Sequence, residues 1–196
     1  MRRRYASIAI PAFLMIVVAA SPVVADEIAD IKACAAGNVV TCEDLAQRYA
    51  DGKDKNPVKW IAYLEKACNL NSSAACNNLG VAWAKGETAA SRIDLAKARA
   101  YYRKACGLAD GLGCFNVANF YRLGEGTGVD LKLALANYSK SCDLAEAKGC
   151  TELALMHYEG NGVPKNVAMA KTLLEKACKL GSPVACKNIE LLKNAK

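Results

Sequence analysis

Five pairs of cysteines, each spaced Cys-x7-Cys, constrain this 196-residue chain more than any other feature. They fall at Cys34 and Cys42, Cys68 and Cys76, Cys106 and Cys114, Cys142 and Cys150, and Cys178 and Cys186. The second cysteines are separated by 34, 38, 36 and 36 residues. A fixed period of this size marks stacked supersecondary units, each unable to bury its apolar face alone.

Other residues keep the same period. Lys32, Lys66, Lys104, Lys140 and Lys176 precede each first Cys by two. Leu45, Leu79, Val117, Leu153 and Ile189 follow each second Cys by three. The next position is small in four cases: Ala46, Gly80, Ala118 and Ala154. Tyr49, Trp83, Tyr121 and His157 come at seven, and Gly52, Gly86, Gly124 and Gly160 at ten. Apolar side chains at this spacing define one face of a helix, and a Gly beyond it is a stop signal. A second helical pattern follows, as in Val58 to Leu70 and Val167 to Leu180. Each period is therefore a hairpin of two helices, joined closely where the small residue sits. The insertion Glu87 to Ser91 lengthens one loop and accounts for the step of 38.

The expected organisation is a capping half-repeat over 26–41, repeats over 42–75, 76–113, 114–149 and 150–185, and a second half-repeat over 186–196. Residues 1–25 read as a secretory signal peptide cleaved after Ala25. Met1-Arg2-Arg3-Arg4 is basic, the run from Ala6 to Ala20 is apolar, and small residues precede Asp26. An uncleaved anchor is the competing reading, opposed by Pro11, Pro22 and the small residues before Asp26. A mitochondrial presequence would be less apolar and more amphipathic. Export, to the periplasm or beyond the cell, makes ten cysteines a disulfide framework. The leader carries three Arg and no acid, so its removal lowers the net charge from +7 to +4, too little for a nucleic-acid signature.

Two pairings suit the hairpin geometry. One closes each Cys-x7-Cys and links the second helix of one repeat to the first helix of the next. The other links both ends of one hairpin, as in Cys42 with Cys68. The first uses all ten cysteines; the second leaves Cys34 and Cys186 over. Counting favours the first, although sequence alone does not fix connectivity.

Leu45-Ala46-x-x-Tyr49 and Val117-Ala118-x-x-Tyr121, with Gly160-Asn161-Gly162-Val163 and then Lys176-Ala177-Cys178, resemble the Sel1-like repeat, a tetratricopeptide-like unit. The Cys-x7-Cys in every repeat resembles the Helicobacter cysteine-rich proteins. The resemblance covers nearly the whole chain after the leader. It departs at Asp54 and Thr88, which replace the second loop Gly, and at His157, which replaces an aromatic. It implies an all-α, right-handed α/α solenoid with disulfides between repeats and a concave binding face. It also implies either adaptor-like binding of protein partners or penicillin-binding and slow β-lactamase activity, with a β-lactam or peptidoglycan-like compound as ligand. An assembly or chaperone-like role for exported proteins is a further possibility.

Catalytic residues are not evident. A serine β-lactamase needs Ser-x-x-Lys, and no Ser here has a Lys three residues on. The single His157 cannot build a zinc site, and no metal or other cofactor is expected. Structural filler is the favoured role for His157. Gly124-Glu125-Gly126-Thr127-Gly128 superficially suggests a phosphate loop, but it follows a helix rather than a strand. The repeated Lys suits helix C-termini through the dipole, with a cationic ladder for acidic ligands as the sharper alternative. One position is polar throughout: Asp44, Asn78, Asn116, Glu152 and Asn188, two residues after each second Cys. Asn119 shares the face of Asn116. Asn78, Asn116, Asn119, Glu152 and Asn188 form the candidate peptide-binding set, because amides can pair with an extended backbone. The competing role is helix capping. The chain is expected to be monomeric and free of the membrane once the leader is removed.

Overall fold

The computed structural model describes residues 22–88, 91–126 and 128–194. The proposed leader lies outside them up to residue 21. Among the described residues all regular structure is helical. Helices α1 (Pro22–Ala35) and α2 (Val39–Ala50) are followed by α3 (Pro57–Asn69), α4 (Ser73–Lys85) and α5 (Leu95–Gly107). Then come α6 (Gly111–Leu123), α7 (Leu131–Asp143), α8 (Ala147–Glu159), α9 (Val167–Lys179) and α10 (Pro183–Asn194). None is long and apolar enough to cross a membrane.

Capping residues set the starts. Asn38, Asn56, Ser72, Asp94, Asp110, Asp130, Glu146 and Asn166 each accept a hydrogen bond from a backbone N–H in the first turn of the helix they precede. Such caps contribute about 1 kcal/mol apiece. Gly86, Gly124 and Gly160 end α4, α6 and α8 in the left-handed conformation, which glycine enters without strain. Gly52 differs from the expected stop: α2 ends at Ala50, and Gly52 opens a 3₁₀ turn through Asp54. The tight turn after each second helix also needs one left-handed residue. Gly37, Asn71, Ala109, Ala145 and Gly181 supply it, at φ from 61° to 97°.

The hairpins are α2 with α3, α4 with α5, α6 with α7, and α8 with α9, the most extensive helix contacts in the molecule. Leu45, Leu79, Val117, Leu153 and Ile189 are all buried, as the period predicts. Burying such a side chain stabilises by roughly 1.5–3 kcal/mol. Ala46, Ala118 and Ala154 are buried at the close junctions, and Gly80 leaves room for the ring of Tyr102. Glu190 takes that place on α10 and is exposed. A helix packed on α10 as α9 packs on α8 would bury this carboxylate at high cost.

All five Cys-x7-Cys pairs are closed, with Cα–Cα distances of 4.4 to 4.8 Å. Each bridge ties a second helix to the next first helix, and Cys42–Cys68 pairing is not formed. The crossing is close: a Cβ on Gly149 would lie 2.2 Å from the Ser141 hydroxyl oxygen. That hydroxyl donates to the Gly111 carbonyl oxygen at 2.7 Å. Neighbouring repeats are thus held by a covalent joint on one side and helix packing on the other. Lys32, Lys66, Lys104, Lys140 and Lys176 all sit in last turns, where the helix dipole favours a cation.

Candidate functional site

The first helices α4, α6 and α8 contact one another in sequence and form one layer; the second helices form the other. The polar position two residues after each second Cys lies in the first layer. It is not a cap. Asn78 is the sixth residue of α4, whose start is capped by Ser72. Asn116 and Glu152 likewise lie a turn inside α6 and α8, capped by Asp110 and Glu146.

The structure divides the candidate residues into four settings. Asn78 is exposed and lines a recess of about 280 Å³ with Glu43, Asp44, Gln47 and Trp60. Asn116 is half-buried at the seam with the preceding repeat, and its Nδ2 donates to Asn77 Oδ1 at 2.9 Å. Asn119 accepts from the Tyr138 hydroxyl at 2.6 Å, and Arg122 Nε donates to the same hydroxyl at 2.9 Å. Burial raises the Tyr138 pKa above the ordinary phenol value; Arg122 opposes that rise and Glu152 adds to it. Asn119, Tyr138, Arg122 and Glu152 therefore form one polar cluster. Asn188 borders an apolar recess of about 190 Å³ with Leu155, Tyr158, Leu191 and Leu192. The candidates are not one contiguous patch but a row of polar groups, repeat by repeat.

Asn116 and Asn119 each retain hydrogen-bonding capacity. Asn116 keeps its carbonyl oxygen and one N–H; Asn119 keeps its NH2 group. Sequence reasoning missed Asn77, Arg122 and Tyr138. Asn77 directly precedes the periodic position, but no periodicity marks Arg122 as a partner of Tyr138. The glycine loop behaves as its position after a helix suggested. Gly124 and Gly126 both have positive φ and link α6 to α7, while Thr127 lies outside the described residues.

Stacked helix hairpins with a disulfide at each repeat junction and a polar first-helix layer define an α/α-solenoid scaffold. The Sel1 repeat model matches at 41–72, 73–110, 111–145 and 147–182, so the chain belongs to the Sel1 repeat family. Helicobacter pylori cysteine rich protein B is 38% identical, with a TM-score of 0.56 over 70% of this chain and 98% of that one. A Sel1 repeat protein from Oxalobacter formigenes shares the fold at a TM-score of 0.72 and 22% identity, over 79% of this chain and 63% of that one. Cytochrome c oxidase assembly factor 7A of Xenopus laevis is 33% identical over 103 residues, 49% of this chain and 44% of that protein. The chain thus spans less than half the length of the curated relatives it matches.

Proposed function

We propose that this protein is an exported interaction scaffold whose first-helix layer binds an extended segment of a partner protein. The observation that carries this reading is the polar row Asp44, Asn78, Asn116, Glu152 and Asn188, at one register position on five successive first helices. Packed helices lie about 8–10 Å apart and an extended chain advances about 3.3 Å per residue, so successive repeats would meet peptide groups roughly three residues apart. The solenoid is pre-organised by five bridges, which lowers the ordering cost of binding. Export is supported by the basic, then apolar, opening of the chain and by the bridges themselves. N-terminal sequencing of periplasmic or culture-fluid protein tests it, with Asp26 expected first.

Binding is tested by selecting peptides from a displayed random library on the oxidised protein. Asp44→Ala with Asn78→Ala should weaken a selected peptide at least about tenfold, or about 1.4 kcal/mol. Both residues are exposed, so the melting temperature should hold. Unchanged affinity would move the binding surface elsewhere. The similarity to an assembly factor supports partners that are themselves proteins undergoing assembly. The β-lactam alternative lacks a Ser-x-x-Lys nucleophile. Nitrocefin turnover or covalent penicillin labelling by the oxidised protein would nevertheless put that alternative first.

A further inference from the structure

One slot recurs wherever a first helix meets the second helices on either side of it. In the first slot, between α1, α2 and α3, two rings fill the space. Tyr49 stacks on Tyr63 with centroids 5.7 Å apart and planes 9° apart. Lys59 Nζ lies 4.4 Å from the centre of the Tyr49 ring. In the second, between α3, α4 and α5, Trp83 and Tyr101 hold the same register positions. Lys97 Nζ lies 4.0 Å from the Trp83 ring centre, and Tyr101 donates to Glu65 at 3.4 Å.

The third slot loses the second-helix ring, and the fourth loses both. Between α5, α6 and α7, Asn137 stands where Tyr101 would, and a cavity of about 270 Å³ opens beside Tyr121. Between α7, α8 and α9, His157 replaces the first-helix aromatic and Leu173 replaces the second-helix Tyr. The cavity there is about 440 Å³. Its wall is apolar, with Leu135, Leu153 and Met169, and Lys132 and Lys176 stand among its polar lining. His157 also lines it, and its Nδ1 is buried with no hydrogen-bond partner among the described residues.

We propose that the α7–α8–α9 slot binds a small aromatic carboxylate. The ring takes the place that tyrosine rings fill in the first two slots, where the fold has already shown that rings of this size pack. A carboxylate on that ring meets Lys132 and Lys176, the two cations of the lining. Asp143 shares the lining and pairs with Lys176 at 3.9 Å, but both side chains are substantially exposed and such pairs are weak. Lys132 has no ion pair among the described residues. An apolar pocket with a few convergent polar groups is the usual form of a small-molecule site.

The chain has one His, so its ring resonances are unambiguous in an NMR titration of the oxidised full-length protein. Phenylacetate should shift them saturably. Benzyl alcohol, which lacks the charge, and acetate, which lacks the ring, should each bind about tenfold or more weakly. Leu173→Tyr restores the ring of the earlier slots and should abolish the phenylacetate shift while the helical circular dichroism is kept. Should that variant fail to fold, Lys132→Ala with Lys176→Ala must weaken phenylacetate and leave benzyl alcohol unchanged. An unmoved His resonance, equal response to acetate, or equal loss of both aromatic probes in the lysine variant overturns the proposal.

Discussion

Replacing Gly80 by Ala would place a Cβ 2.5 Å from two ring carbons of Tyr102. Ordinary carbon contacts lie near 3.5–4.0 Å, so the ring must retreat by about 1 Å. Little space is available. Tyr102 is only 5% exposed, and the Phe120 ring centre lies 5.9 Å away. Ala118 and Tyr138 coexist at the same register one repeat later, because Asn119 and Arg122 hold the Tyr138 hydroxyl in another pose. Val81 and Ala84 occupy those two positions beside Tyr102 and offer no polar group. Overpacking of this kind costs about 1–3 kcal/mol. Ala gains about 1 kcal/mol over Gly in a helix, which partly hides the cost. A double-mutant cycle separates the two effects. In a Tyr102→Leu background the clash is gone, as in the aligned pair Ala46 and Leu64, and Gly80→Ala should then stabilise by about 1 kcal/mol. The coupling should therefore be about 1–3 kcal/mol by chemical denaturation. A Gly80→Ala substitution that stabilises both backgrounds equally would refute the close-junction account.

Three further outcomes are expected. Ala109→Gly with Ala145→Gly relieves two left-handed alanines and should raise stability by up to about 1 kcal/mol per site; no gain in the denaturation midpoint would show these turns to be unstrained. Burial pushes the Tyr102 hydroxyl up to about 12, above its unfolded value of 10.0, so the neutral phenol is favoured in the fold. Its contribution is complete below pH 10 and is lost as pH rises towards 12, and Tyr102→Phe should abolish this part of the alkaline loss; identical pH profiles would contradict it. Cys178→Ala with Cys186→Ala removes the joint to α10, which packs mainly on α9, and should cost about 2–3 kcal/mol of local stability. Hydrogen exchange should quicken in α10 and not in α4 to α7; uniform quickening would mean the repeats do not act as neighbours only.

The helices were legible because their signals are local. Period, capping residues, stop glycines and the fifth cysteine pair sit in fixed order along the chain. The close junctions were legible too, because Ala46, Gly80, Ala118 and Ala154 interrupt an apolar face with small residues. The candidate row was legible only as a row. Its register gives a layer but not the neighbours, which come from α4 and α7 as well as α6. Hence Asn116 and Asn119 were foreseen as open groups, whereas each spends one hydrogen bond internally. His157 was legible as a departure from an aromatic position. That this departure coincides with Leu173, 16 residues on, depends on two helices meeting.

By itself the sequence determined the α/α solenoid, its repeat length and a preference among disulfide pairings, since all of these follow from periodic patterns within about 40 residues. Only the tertiary structure decided which slots between helices are filled and which stand open. Filling depends on the summed volume of side chains from three helices at once, and no single stretch of chain carries that sum.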